Sequence, residues 1–241
     1  MFKISIIGFF VKITLYFISE QISDINIPGR SLFITAHPDD EVMFFGPSIL
    51  RAEDPYILCL SRGAPNGTIR SNELKNSCKK LGIQDKCFIS ENDTFKDGFE
   101  YKWKQDDIRR VVNKYIEKIK PDRIITFDEF GVSHHPNHIA IPKGLKKQFN
   151  ANVNNIDNTP IFFLKTKPIY LKYTENFATI IYYLTKKNKI GYFLVTPIKS
   201  RFQMKIEYSF MKHKSQIVWY RYLWLIFSRF LHFNHLIPAN T

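Results

Sequence analysis

The sequence predicts an α/β protein with a Rossmann-like, mostly parallel sheet and helices on both faces. Two observations lead there. Short apolar runs alternate with amphipathic stretches from residue 31 to residue 147, and such alternation builds parallel sheets through right-handed crossovers. Clusters of histidine and aspartate also stand just past two of the apolar runs, and the carboxyl ends of strands are where open α/β sheets bind ligands.

The chain begins with an apolar run, Phe2 to Ser19, broken by Lys3 and Lys12. As a helix it would extend about 27 Å, close to the thickness of a bilayer core. Lys12 inside the run and the lack of a small-residue cleavage site argue against a removed signal peptide. Residues 1–22 are therefore expected to be a membrane anchor, spanning or interfacial, ahead of a domain over 31–241. Ser31 to Thr35 reads as a first strand, Tyr56 to Leu60 as a second, Cys87 to Ser90 as a third and Arg123 to Phe127 as a fourth. Between them, Arg70 to Leu81 reads as a helix closed by Gly82. Gln105 to Lys120 reads as another, with Ile108, Val111, Val112, Tyr115, Ile116 and Ile119 on one side and Pro121 as its stop. Asn137 to Lys147 is a further helix, and the Asn-rich segment 150–159 a surface loop. Strands are expected at 161–164, 179–184 and 192–196, and a helix at 199–214. The tail, 217–237, is rich in Trp, Tyr, Phe and Leu. On a helical wheel it places Arg221, Ser228, His232 and His235 on one narrow stripe, so it reads as an amphipathic helix packed on the sheet or lying at a membrane interface.

The chemistry is concentrated at two strand ends. Ala36-His37-Pro38-Asp39-Asp40-Glu41 follows the first strand, and Gly131-Val132-Ser133-His134-His135-Pro136-Asn137-His138 follows the fourth. Two such ends in one parallel sheet can converge. His37, Asp40 and His138 would then offer two nitrogens and one oxygen to a metal, leaving a position open as catalytic zinc sites do. The plainer alternative for residues 36–41 is a helix start whose acids favour the dipole.

Taken together with Ser61-Arg62-Gly63-Ala64-Pro65-Asn66-Gly67-Thr68-Ile69-Arg70-Ser71-Asn72-Glu73-Leu74 and with His213-Lys214-Ser215-Gln216 and Trp219-Tyr220-Arg221, these stretches resemble the PIG-L/LmbE-like family of zinc-dependent de-N-acetylases. The likeness is greatest to the branch acting on N-acetylglucosaminyl-phosphatidylinositol. It covers about residues 31–150 and 199–237, and leaves 151–198 without an anchor. It implies an LmbE-like fold and Zn²⁺, another divalent ion being the alternative. It also implies hydrolysis of the N-acetyl group of that glycolipid, giving glucosaminyl-phosphatidylinositol and acetate in GPI-anchor biosynthesis. By the same resemblance Asp39 is the general base and Asp40 the ligand, two carboxylates that spacing alone does not separate. His135 would donate to the oxyanion or protonate the amine. Arg70 would bind the substrate phosphate, the alternative being a salt bridge with Glu73, and His213 would contact substrate, the alternative being core packing. His134 stands where the resemblance leads one to expect glycine.

Charge and cysteines add context. The net charge is +13 and the pI about 9.5, which points to an anionic partner or simply to a lysine-rich solvated surface. No nucleic-acid-binding motif accompanies it, so the expected partners are the glycolipid and a membrane. The three cysteines, Cys59, Cys78 and Cys87, show no paired spacing. They read as buried free thiols of a reducing compartment, which with the apolar run implies an endoplasmic reticulum membrane protein whose catalytic domain faces the cytosol. A soluble deacetylase of a small N-acetylglucosaminyl conjugate, and a basic binding protein with a vestigial metal site, are the alternatives.

Overall fold

The computed structural model describes residues 26–91, 94–149, 159–173, 192–195 and 201–239. The strands are β1 (Ile27–Thr35), β2 (Ala52–Cys59), β3 (Cys87–Ile89), β4 (Arg123–Phe127), β5 (Ile161–Leu164), β6 (Tyr192–Val195) and β7 (Phe233–Pro238). The helices are α1 (Asp40–Met43), α2 (Gly46–Arg51), α3 (Gly67–Leu81), α4 (Gln105–Ile119), α5 (Gly131–His134), α6 (Pro136–Phe149), α7 (Ile169–Lys172), α8 (Arg201–Phe210) and α9 (Trp219–Phe227). The expected anchor at 2–19, the strand at 179–184 and nearly all of the 150–159 loop lie outside the described residues. Within them, no helix is long and apolar enough to cross a membrane.

The strands form one seven-stranded sheet in the order β3-β2-β1-β4-β5-β7-β6. From β3 to β5 all neighbours are parallel, while β7 runs antiparallel to both β5 and β6. The crossovers from β1 to β2 to β3 step one way; those from β3 to β4 and on to β5 step the other. Right-handed connections then put their helices on opposite faces. Accordingly α4 packs on α6, and α3 packs on α8. The core is the usual product of a sheet covered on both sides: Leu32, Phe33, Ile34, Ile57, Leu58, Ile124, Ile125 and Phe127 are fully buried.

The long helices follow the sequence. Ile108, Val112, Ile116 and Ile119 are the buried stripe of α4, and Val111 and Tyr115 flank it, partly buried. Gly82, at φ +77°, closes α3 in the left-handed conformation that favours glycine. The tail departs from expectation. Helix α9 stops at Phe227, because the Ser228 hydroxyl accepts the Phe230 N–H and starts a short 3₁₀ turn. The chain then enters the sheet as β7. The helical stripe is therefore split: Arg221 lies on α9, whereas His232 and His235 are buried at the strand. A strand covered on both faces has no period of its own, so a helical wheel laid over it finds a pattern that packing does not use.

The cysteines depart as well. Cys78, on α3, is disulfide-bonded to Cys87, at the start of β3, and only Cys59 is a free, buried thiol. The helix-to-strand turn brings two residues nine apart to a Cα separation of 6.3 Å, within bonding range. No spacing motif announces such a pair. The argument from unpaired thiols to a reducing compartment loses its footing.

Candidate metal centre and active site

Between β1 and β4 the strand order reverses, and the site sits just past the carboxyl ends of these two strands, the ligand-binding position of doubly wound sheets. After β1 the chain turns through Asp39, whose φ of +112° is a left-handed conformation that costs a non-glycine residue about 1–3 kcal/mol. The surroundings hold it there. Its N–H donates to Glu41 Oε2 at 3.0 Å. Its carboxylate lies 3.5 Å from Arg221 Nη2 and 3.9 Å from Arg70 Nη2. Arg70 also donates to the Pro38 carbonyl at 2.8 Å and pairs with Asp97. Gly63, at φ +80°, leaves room for that guanidinium: a Cβ there would stand 2.6 Å from Arg70 Nε. Glu41 is fully buried and accepts the Ser77 hydroxyl at 2.7 Å and His213 Nε2 at 2.6 Å.

The turn after β4 is clamped in the same way. Asp128 accepts the N–H groups of Phe130 and Gly131, both at 3.1 Å, and that of Thr166 at 2.6 Å. Gly131 has φ +60°, and a Cβ on it would meet His138 Cβ at 2.7 Å. Val132, a β-branched residue, follows at φ +58°. Its N–H donates to Thr166 Oγ1 at 2.9 Å and its carbonyl accepts from Lys172 Nζ. His134 also has a positive φ, +61°, which explains why glycine was expected there.

The histidine tautomers follow from their partners. His138 Nδ1 lies 3.0 Å from the Gly131 carbonyl, which can only accept, so Nδ1 carries the proton and Nε2 a lone pair. His37 Nε2 lies 2.9 Å from Asn137 Oδ1 and 3.1 Å from Asp97 Oδ1. Asn137 is oriented by its Nδ2 donating to the Tyr101 carbonyl at 2.9 Å. His37 Nε2 is therefore the donor and Nδ1 the lone pair. The two lone-pair nitrogens face each other at 3.3 Å, with Asp40 Oδ1 3.2 Å from His138 Nε2 and Asp40 Oδ2 3.8 Å from His37 Nδ1. Three electron-rich atoms converge on one buried point. Such a set fits a divalent cation, and its outer hydrogen bonds are those that orient imidazole ligands. His135 offers a third imidazole, with one ring nitrogen within 4.8 Å of a ring nitrogen of each of the other two. Its Nδ1, however, accepts the Asn137 N–H at 3.3 Å, which leaves Nε2–H as a donor.

Electrostatics separate the two aspartates. Burial would raise both. Asp40 is nevertheless held far below the ordinary carboxylate range by attraction to the protonated forms of His138 and His37, and accepts the backbone N–H groups of Ala36 and His37 at 3.0 and 2.8 Å. Asp39 is raised to about 6 by burial and by the Asp40 charge, against the pull of Arg221 and Arg70. Half-buried His135 is pushed down to about 4 by burial and by its two histidine neighbours, so it is neutral near pH 7. These groups form the floor of a cavity of about 1110 Å³, whose mouth includes Ile169, Tyr173, Tyr220, Leu223 and Phe227.

Of the residues singled out in the sequence, His37, Asp39, Asp40, His135 and His138 come together. Arg70 lines the same cavity, but its guanidinium is engaged with Asp97, Pro38 and Asp39. The alternative pair with Glu73 does not form, because Glu73 accepts the N–H and hydroxyl of Ser215 at 2.7 and 2.6 Å. His213 is a correction. It is fully buried behind Asp39 on Glu41, and does not line the cavity, so it supports the site without reaching substrate. The sequence did not single out Asp97, Asn137, Glu41 or Arg221 for these roles. Asn137 and Glu41 lie within the two motifs. Asp97 sits in a loop without a signature, and Arg221 was legible only as part of a polar stripe.

Fold and site together define a doubly wound α/β protein with a candidate metal centre at its switch point. The family described as PIG-L, GlcNAc-PI de-N-acetylase, matches residues 32–148. A probable N-acetylglucosaminyl-phosphatidylinositol de-N-acetylase of Dictyostelium discoideum is 34% identical, over 89% of this chain and 95% of that protein. The N-acetylglucosaminyl-phosphatidylinositol de-N-acetylase of Bos taurus is 32% identical, over 88% of this chain and 85% of its own. The chain belongs to the PIG-L family of de-N-acetylases. Among solved structures, the zinc-inhibited form of the teicoplanin deacetylase Orf2 is similar in fold, with a TM-score of 0.57 at 13% identity over 88% of this chain and 99% of that one.

Proposed function

We propose that this protein removes the N-acetyl group of N-acetylglucosaminyl-phosphatidylinositol in a metal-dependent hydrolysis, releasing acetate and leaving the glucosaminyl lipid. The observation that carries the reading is the convergence of His37 Nδ1, His138 Nε2 and Asp40 Oδ1 beside a differently tuned Asp39. The names of the relatives supply the substrate.

His37, Asp40 and His138 are the residues that would hold Zn²⁺ or another divalent ion. Such an ion, when bound, polarises the acetyl carbonyl and makes water a stronger acid. Asp39, raised toward neutrality, takes one proton from the attacking water as the water oxygen bonds to the carbonyl carbon. Arg221 and Arg70 fix the direction in which its carboxylate points. His135 donates Nε2–H to the oxyanion of the tetrahedral intermediate, while Phe99, with ring centroids 4.4 Å apart, packs against its imidazole. When the C–N bond breaks, Asp39 returns its proton to the leaving amine. Arg70, already engaged three ways, serves Asp39 more directly than it serves a phosphate.

A membrane location supports access to a lipid substrate, and the apolar run at 2–19 supports an anchor. The endoplasmic reticulum membrane is the placement proposed with this substrate; with Cys78 and Cys87 paired, the thiols no longer argue for its cytosolic side. The test is incubation of the metal-loaded protein with N-acetylglucosaminyl-phosphatidylinositol and with its water-soluble headgroup, with acetate measured. No acetate from either substrate refutes the reading.

A further inference from the structure

Helix α9 gives little of its surface to the domain. Among its residues only Trp224 is buried. Trp219, Tyr222, Leu223 and Ile226 are 75, 50, 46 and 55% exposed. They follow an i, i+3, i+4, i+7 spacing, which is one face of a helix. Across the cavity mouth, Ile169 and Tyr170 at the start of α7 are 73 and 68% exposed. Leu223 and Ile169 both line the cavity, so the two patches meet at its rim. Segments 159–173 and 208–239 contain no Asp or Glu, and three of their lysines, Lys165, Lys212 and Lys214, are exposed. A single exposed apolar side chain needs no explanation, but a continuous aromatic and aliphatic face does.

We propose that α7 and α9 form a docking surface for an anionic phospholipid bilayer, so that the cavity opens directly onto the lipid. This rests on the proposed function and deepens it. The acyl chains of a phosphatidylinositol substrate stay in the bilayer, because every methylene favours it. The acetamido sugar must nevertheless reach Asp39 and His37 on the cavity floor. Both conditions are met when the rim itself lies in the headgroup layer. Trp and Tyr favour that layer. The exposed lysines of the same two segments, with no acid among them, suit a negative surface potential. The surface is distinct from the apolar run at 2–19: that run tethers the chain, whereas the rim aims the cavity.

The test uses the full chain with vesicles of phosphatidylcholine and phosphatidylinositol, some carrying brominated acyl chains. Trp103 and Trp224 are only 7 and 8% exposed. The fluorescence of the parent minus that of Trp219→Phe therefore reports on Trp219. The proposal expects brominated chains to quench this difference signal. It also expects the combined Trp219→Ser, Tyr222→Ser, Ile226→Ser variant, none of whose positions lines the cavity, to release acetate from the soluble headgroup within about twofold of the parent. On the vesicle-embedded glycolipid the same variant should lose roughly tenfold or more, since the gain in local concentration from correct docking is lost. An unquenched Trp219 on vesicle-bound protein means that another part of the chain or a protein partner covers this face, and overturns the proposal; so does undiminished turnover of the embedded lipid. Failure of the activity reading looks different: the parent releases no acetate from the soluble headgroup, whatever Trp219 reports.

Discussion

Replacing His213 by alanine tests how the site is supported from behind. Glu41 is a carboxylate with no exposed surface, held by three donors: His213 Nε2 at 2.6 Å, the Ser77 hydroxyl at 2.7 Å and the Asp39 N–H at 3.0 Å. Removing the imidazole leaves a buried charge with two neutral donors. Breaking a buried pair in this way costs about 3–5 kcal/mol. For a domain of this size that lowers Tm by about 6–20 °C. The Asp39 backbone is tied to the same carboxylate, so its left-handed conformation loosens too. The His213 pKa is raised: burial alone would lower it, but the Glu41 charge and hydrogen bond more than offset that. A raised histidine stabilises fully below its unfolded value, near 6.5, and the stabilisation is lost as pH rises through the folded value. Thermal unfolding of parent and His213→Ala should therefore differ most near pH 6 and less under alkaline conditions, where the neutral imidazole still donates to Glu41. His213→Gln, which keeps a donor, should recover part of the stability and retain metal, with any loss of activity falling on kcat and not on KM. A His213→Ala protein within about 1 kcal/mol of the parent at pH 6 refutes the reasoning, because it shows that Glu41 is not charged or not dependent on His213.

Four further outcomes are expected. His138→Ala should lose both bound metal and activity, and stoichiometric zinc retained in that variant would show that the ligand set is wrong. Asp39→Asn should keep the metal in an elemental assay while losing about 10²–10⁴-fold in rate, whereas Asp40→Asn should weaken metal binding; exchanged phenotypes would exchange the two roles. His134→Gly should raise stability by about 1 kcal/mol, read from thermal unfolding, because His134 sits at φ +61° where glycine carries no steric penalty. Deleting residues 2–19 should leave hydrolysis of the soluble headgroup nearly intact and reduce turnover of the embedded lipid; loss of fold and zinc would make that run a core helix.

The parts of the structure that were legible are those where pattern and packing agree. Residues 31–35 and 123–127 are short apolar runs, and they became adjacent parallel strands. The period of α4 is the stripe it buries. The two His and Asp motifs stood at strand ends, and the order of strands brought those ends together. What was not legible depends on contacts between distant residues. Cys78 and Cys87 meet only because a helix ends and a strand begins between them. His213 looked like a contact residue because its only signal was being histidine near a motif; its 2.6 Å bond to Glu41 spans 172 positions of sequence. Asp97, which ties His37 to Arg70, is one acid in a polar loop. The tail misled because a buried strand and an apolar helix share a composition.

Both turns at the candidate site are strained, and in both the restraint comes from afar. Asp39 and Val132 each hold a positive φ without being glycine, and neither motif contains enough partners to impose that. Glu41 fixes the first turn from within, but Glu41 is itself completed by Ser77 on α3 and by His213 after α8, and Arg221 on α9 closes the set. The second turn depends on Thr166 after β5 and Lys172 on α7. The C-terminal third therefore does more than cover the sheet. It supplies the groups that keep a carboxylate and a carbonyl pointed at one place, which the strand ends alone would not do. Those same segments, α7 and α9, present their other sides to the exterior around the cavity mouth. On the inner side Arg221 of α9 restrains Asp39, the proposed base, and Lys172 of α7 restrains Val132, while the outer side of the same two helices forms the proposed bilayer-docking surface.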